Sequence, residues 1–136
     1  MLQRIAYCVA AAVFAATLGG GPLAAQQPAQ TQGIKRTILQ THDLPGSNLQ
    51  SVQGIAQIGP DVAFPHHTHP GVEISYVLQG SLTLNVKGEP TRTLKAGQTS
   101  YVPAETPHWG RAGPKGAKIL ATWVVEKGKP LASPAK

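Results

Sequence analysis

An all-β domain, a sandwich or barrel of many short strands, is predicted by three features of the 136-residue chain. Apolar residues alternate with period two over several stretches, and Gly and Pro punctuate those stretches at short intervals. Between residues 34 and 128 no stretch shows the spacing of an amphipathic helix.

The elements follow in order. Residues 1–25 have the make-up of a signal peptide: Arg4 is the positive start, an uncharged apolar run follows to Leu18, and Leu23-Ala24-Ala25 offers a cleavage site after Ala25. The run is short for a membrane span, and an uncleaved anchor is the alternative. The expectation is an exported protein, periplasmic or secreted, with no stable membrane insertion after cleavage. Cys8, the only cysteine, would leave with the peptide, so the mature chain would have neither a disulfide nor a thiolate ligand. Mass spectrometry showing a mature chain that begins near Gln26 would bear this out. A species that retains residues 1–25, or carries a lipid on Cys8, would contradict it. Residues 26–33 read as a flexible leader, 34–128 as one β-barrel domain and 129–136, with two prolines, as a flexible tail.

Within the domain, 35–40 reads as an edge strand and 50–58 as a strand with a bulge near Gly54. Val72, Ile74, Tyr76 and Leu78 alternate with Glu73, Ser75 and Val77, a half-buried strand whose second face carries a carboxylate. Gln79-Gly80 signals a tight turn, after which Leu82, Leu84 and Val86 alternate strictly. Short strands at 91–94, 100–102 and 108–111 precede a last long one at 118–126, with Ile119, Ala121, Trp123 and Val125 on one face.

The chemistry concentrates in His67, His69, Glu73 and His108. On a strand, His67 and His69 share a face about 7 Å apart, within reach of one ion. Pro65 and Pro70 bracket them and disfavour a helix. Glu73 keeps the same parity beyond Pro70-Gly71, and His108 follows Pro107 after a long gap. Neutral imidazoles with one carboxylate suit a single divalent transition metal: Fe, Mn, Zn, Ni or Cu. The bland alternative is four unrelated polar residues on barrel strands. His66 should point away from His67, as a supporting or surface histidine, and His42 has no assigned role. Glu105 is either an exposed loop-tip charge or a general base beside His108. Phe64, Tyr101, Trp109 and Trp123 read as core residues, Trp109 with a place at the cavity rim. No serine has a nucleophile-elbow context, and no glycine loop before a helix could cradle phosphate.

His67-x-His69-x3-Glu73-x6-Gly80 resembles the first motif of the cupin superfamily, and Gly97-x5-Pro103-x4-His108 resembles the second. The likeness covers roughly residues 50–125. It implies a small single-domain cupin, a double-stranded β-helix or jelly-roll barrel in which His67, His69, Glu73 and His108 hold the metal. Glu105 stands where the family commonly has Gly, and Ala112 where it commonly has Asn. Cupins include dioxygenases, lyases, isomerases, decarboxylases, storage proteins and ligand-binding modules, so the fold alone does not choose among them. Two functions are therefore carried forward. One is a metal-dependent enzyme, dioxygenase-like or lyase/isomerase-like, acting on a small oxygenated or aromatic molecule. The other is a non-catalytic small-molecule binder or metal-stabilised scaffold.

The formal charge of +6 has five of its lysines crowded into the last quarter of the chain with Trp123 alone among them, too few aromatic residues for a stacking surface, which reads as a solvated edge and not a nucleic-acid surface. A modest attraction for anionic small molecules is consistent with it. Segments 35–40 and 118–126, read as possible sheet edges, suggest a homodimer.

Overall fold

The computed structural model describes residues 31–135. The expected signal peptide, Cys8 and most of the leader lie outside the described residues. Eight strands are described: β1 (Ile34–Asp43), β2 (Leu49–Ile58), β3 (Ala63–Thr68), β4 (Gly71–Val86), β5 (Arg92–Lys95), β6 (Thr99–Val102), β7 (His108–Glu126) and β8 (Ser133–Pro134). All their pairings are antiparallel. No helix among the described residues is long and apolar enough to cross a membrane.

The architecture is a jelly roll organised by its two longest strands. The C-terminal half of β7 lies between β2 and the start of β4, with β1 outside β2 and β6 outside β4. The N-terminal half of β7 lies between β3 and the end of β4, with β8 outside β3 and β5 outside β4. β4 and β7 therefore serve both halves and bend together from one to the other. The bend falls where the β4 register slips, between Val77 and Gln79 and again between Gly80 and Leu82. Gly80 has φ +73° there, a left-handed conformation that glycine adopts without strain. The turn read at Gln79-Gly80 is thus a kink within one continuous strand.

The core lies between the two halves. Leu82, Leu84, Val86, Leu94, Val102, Ala112 and Ile119 form its larger cluster with Val77, and Val52, Ala121, Trp123 and Val125 a smaller one. The inward face read for residues 119–125 is the buried one. On β4 the alternation holds, but the interior face is that of Glu73, Ser75 and Val77. Ile74, Tyr76 and Leu78 point outward at 50%, 42% and 38% exposure, beside Tyr101 at 52%. Burial of Ser75 against Ser100 is possible because their hydroxyls bond each other at 2.6 Å.

Three further expectations differ from the structure. Segment 118–126 is no edge: as part of β7 it is flanked by β2 and β4, because alternation reports which face is buried and says nothing about neighbours. The irregularity near Gly54 lies on the opposite strand, where Leu39 is the extra residue between Ile38 and Gln40. The segment read as a flexible tail is tied down: Thr68 and His67 pair with Ser133 and Pro134, and Leu131 packs on the smaller core cluster. A two-residue strand has no periodicity to betray it.

Candidate metal centre

β3 and β7 bring the two sequence motifs together by direct pairing. His67 lies opposite His108 in the ladder, and Glu73 on β4 lies opposite Trp123 on β7. One ring nitrogen from each of His67, His69 and His108 lies within 4.8 Å of the others, a set able to hold a metal ion. His69 and His108 are each 2% exposed.

The orientation of each ring has a backbone cause. His67 Nδ1 is 2.9 Å from the Pro65 carbonyl oxygen, His69 Nδ1 is 2.5 Å from that of Leu131, and His108 Nδ1 is 3.0 Å from that of Thr106. A carbonyl only accepts, so each Nδ1 carries the proton and each Nε2 is left to act as a ligand. This is the supporting arrangement that metal-binding histidines require. The Pro65 carbonyl lies in β3, two residues before His67, and that of Thr106 in the loop just before β7. The third comes from the C-terminal segment.

Glu73 joins the cluster from β4. Its Oε2 is 2.8 Å from His69 Nε2, 3.8 Å from His108 Nε2 and 2.7 Å from the indole nitrogen of Trp123, which donates to it. That N–H is shared with His69 Nε2 at 3.2 Å. An imidazole lone pair and a carboxylate oxygen 2.8 Å apart repel each other unless a positive particle joins them. Either a proton on the imidazole or a metal ion bound by both satisfies the pair, so the donor set fits a divalent transition metal.

Acid sensitivity follows. Burial, reinforced by neighbouring His108, pushes His67 down to about 4 from its ordinary 6.5. Burial opposes ionisation of Glu73, but the hydrogen bonds and charges of His108 and His69 outweigh it and hold the carboxyl well below the usual range. For His67 the unfolded chain binds the extra proton first, so its contribution is complete above pH 6.5 and is lost as pH falls to about 4. Glu73 contributes above its ordinary 4.5 and loses that only below it, so the two effects have the same sign. Thermal melts from pH 7 to pH 4 should show a loss of a few kcal/mol at most, and metal affinity should fall over the same range because protons compete for the donors. A pH-independent affinity across that range would contradict the assignment of these donors.

His67, His108, Glu73 and Trp123 line a narrow cavity of about 60 Å³ that opens outward. Its walls are largely apolar, including Ile34, Phe64, Leu82 and Leu84. Outside it lies a wider vestibule that shares Ile34, Arg36, Phe64 and His67 with the inner cavity and adds His66 and Pro134. His66 stacks flat on Trp109 at 3.9 Å, which places it at the vestibule and not among the clustered donors. Glu105 is exposed and does not line the cavity. Its φ of +55° explains why glycine suits that position, and its backbone N–H donates to the His69 carbonyl at 3.0 Å. His42 is an exposed residue of β1.

Sequence reading missed three contributors. Trp123 was placed in the core, where it is, but its polar edge holds Glu73. Leu131 acts through its carbonyl, which carries no sequence signal. Arg36 enters the cavity between Ile34 and Ile38 on the inward face of β1, and a cation sharing parity with two isoleucines was the available clue. The Leu131 contact has a measurable consequence: deleting residues 129–136 should weaken metal binding about 10- to 100-fold. Unchanged affinity in the truncated protein would show that the His69 ring needs no such support.

Comparison with known proteins agrees with this geometry. The family model for the cupin domain matches residues 54–125. The chain is 34% identical over 68 residues to dimethylsulfoniopropionate lyase DddW of Ruegeria pomeroyi, a match covering 50% of this chain and 44% of that one. DMSP lyase DddQ of Ruegeria pomeroyi superposes with a TM-score of 0.64 at 21% identity, over 75% of this chain and 51% of that one. An RmlC-like cupin from Shewanella frigidimarina gives 0.58 at 22% identity, over 72% and 81%. The chain thus spans about half the length of the two lyases it resembles.

Proposed function

The chain belongs to the cupin family, and from that premise we propose that it is a metal-dependent enzyme with lyase-like chemistry, acting on a small oxygenated molecule in an exported compartment. The observation that carries this reading is the convergence of three histidine nitrogens, each ring oriented by a carbonyl, at a cavity that His67 and His108 line and that has its own vestibule. The relative that is 34% identical over 68 residues is named a lyase, which favours lyase over dioxygenase chemistry.

His67, His69 and His108 would hold the ion with Glu73 as fourth ligand. A bound divalent ion supplies a Lewis acid that polarises a substrate oxygen. Trp123 fixes the Glu73 oxygen through its indole N–H, and the three backbone carbonyls accept from Nδ1 and so aim each Nε2 into the cluster. The apolar walls exclude water and hold a small organic molecule against the polar cluster. Incubating metal-loaded protein with a panel of small hydroxy and carboxylic acids, with turnover followed by NMR, tests the proposal. Metal-dependent formation of an elimination product supports it, and tight binding without turnover contradicts it.

The second reading, a binder without turnover, is favoured by one observation. Among the described residues lining the cavity, every ionisable group except Arg36 belongs to the proposed ligand set.

Self-association through the outward face of Ile74, Tyr76 and Tyr101 completes the proposal, since apolar side chains cluster there in exposed positions. Light scattering at micromolar concentration should give the mass of two chains. A mass of one chain that persists on concentration would contradict it.

A further inference from the structure

We infer that Arg36 is the anchor for a carboxylate on the small molecule that enters the metal cavity. This deepens the reading above and rests on it, because it names the substrate class of the same site.

Arg36 projects from β1 into the cavity and stands at its junction with the vestibule, so a molecule passing inward meets the guanidinium. Its Cζ lies 5.7 Å from the centre of the Trp123 ring, which faces the cation and limits where it can go. Yet its Nε is buried without a hydrogen-bond partner among the described residues. Glu73 is near enough to favour the charge but forms no ion pair with it among the described residues, since its Oε2 is committed to Trp123 and His69. A desolvated donor with no acceptor is costly, and burial accordingly disfavours the charged guanidinium.

An anion in the cavity resolves that cost. A divalent ion held by neutral imidazoles and one carboxylate leaves net positive charge, and Arg36 adds to it, so the interior favours a negative ligand. The planar fork of a guanidinium, with Nε as one tine, matches the two oxygens of a carboxylate. A carboxylate fits better than a phosphate because Arg36 is the one Arg or Lys among the described lining residues and the walls around it are mainly apolar. The other end of the molecule would then lie toward His67 and Glu73.

The test uses the full chain, zinc-loaded and zinc-free, with butyrate as the probe, butyramide as its uncharged analogue and inorganic phosphate as the competing anion. Butyrate should move the Arg36 Nε–H resonance downfield in the proton–nitrogen NMR spectrum, and butyramide should not. Arg36→Gln should abolish that signal and weaken butyrate binding about tenfold or more while leaving zinc affinity unchanged. Arg36→Lys, which keeps the charge and the aliphatic stem, should recover part of the affinity. Butyrate binding to Arg36→Gln within about twofold of the parent overturns the inference, as does equal binding of butyramide or no butyrate binding in either form. Phosphate binding more tightly than butyrate with the same Nε–H shift overturns the carboxylate assignment. Failure of the parent to bind zinc would count against the metal reading instead, and the zinc-free titration would still decide the role of Arg36.

Discussion

Replacing His69 with alanine should weaken metal binding by about a hundredfold to a thousandfold. Removing one of four donors takes away roughly a quarter of an apparent binding free energy of about 10–16 kcal/mol, and each 1.4 kcal/mol is a factor of ten. His69 is the informative choice because it is 2% exposed, faces Glu73 at 2.8 Å and receives its orientation from the far end of the chain. His42→Ala is the matched control, a histidine on the same domain exposed on β1 and outside the cluster. Calorimetric titration with zinc, together with thermal melts of the metal-free proteins, separates loss of a ligand from loss of the fold. Equal zinc affinity in the two variants would sink the assignment.

Gly80→Ala should destabilise the domain by about 3 kcal/mol or more. A side chain at φ +73° costs about 1 kcal/mol by itself. The larger part comes from position: a Cβ here would collide with the carbonyl oxygen of Gly116, a backbone atom that no side-chain rotation can move aside. Both strands bend at this point, so relief requires shifting β4 against β7, the pair that links the two halves of the barrel. Gly88 makes a clean comparison. It too has positive φ, +87°, but a Cβ there would meet nothing within 4 Å, so Gly88→Ala should cost only about 1 kcal/mol. Melting temperatures should fall by more than 10 °C for the first and by about 5 °C for the second. Similar shifts for the two would show that backbone crowding at Gly80 does not matter.

Much of this molecule can be read from residue order because its signals are local. Alternation located the strands around Leu82, Leu84 and Val86 and around Ile119, Ala121 and Trp123, whose interior faces are apolar without interruption. The histidines were legible because a two-residue spacing between prolines leaves one geometry for them. The same logic fails on β4. There the interior face must supply Glu73 and Ser75 to the cavity, while the outward face keeps Ile74 and Tyr76, so the more apolar face is not the more buried one. Long-range pairing was equally out of reach. Nothing in residues 129–136 announces that Ser133 will pair with Thr68 or that the Leu131 carbonyl will orient His69. Arg36 reached the site for the same reason, through a strand pairing that no local pattern encodes.

The measurement that bears most directly on the centre is elemental analysis of the protein, purified without chelator at neutral pH, beside a variant in which His67, His69 and His108 are all alanine. About one divalent transition metal per chain in the parent, and essentially none in the folded variant, is the expected result. Equal metal content in both proteins, or a parent that takes up no transition metal when it is supplied, would contradict a metal centre at these residues.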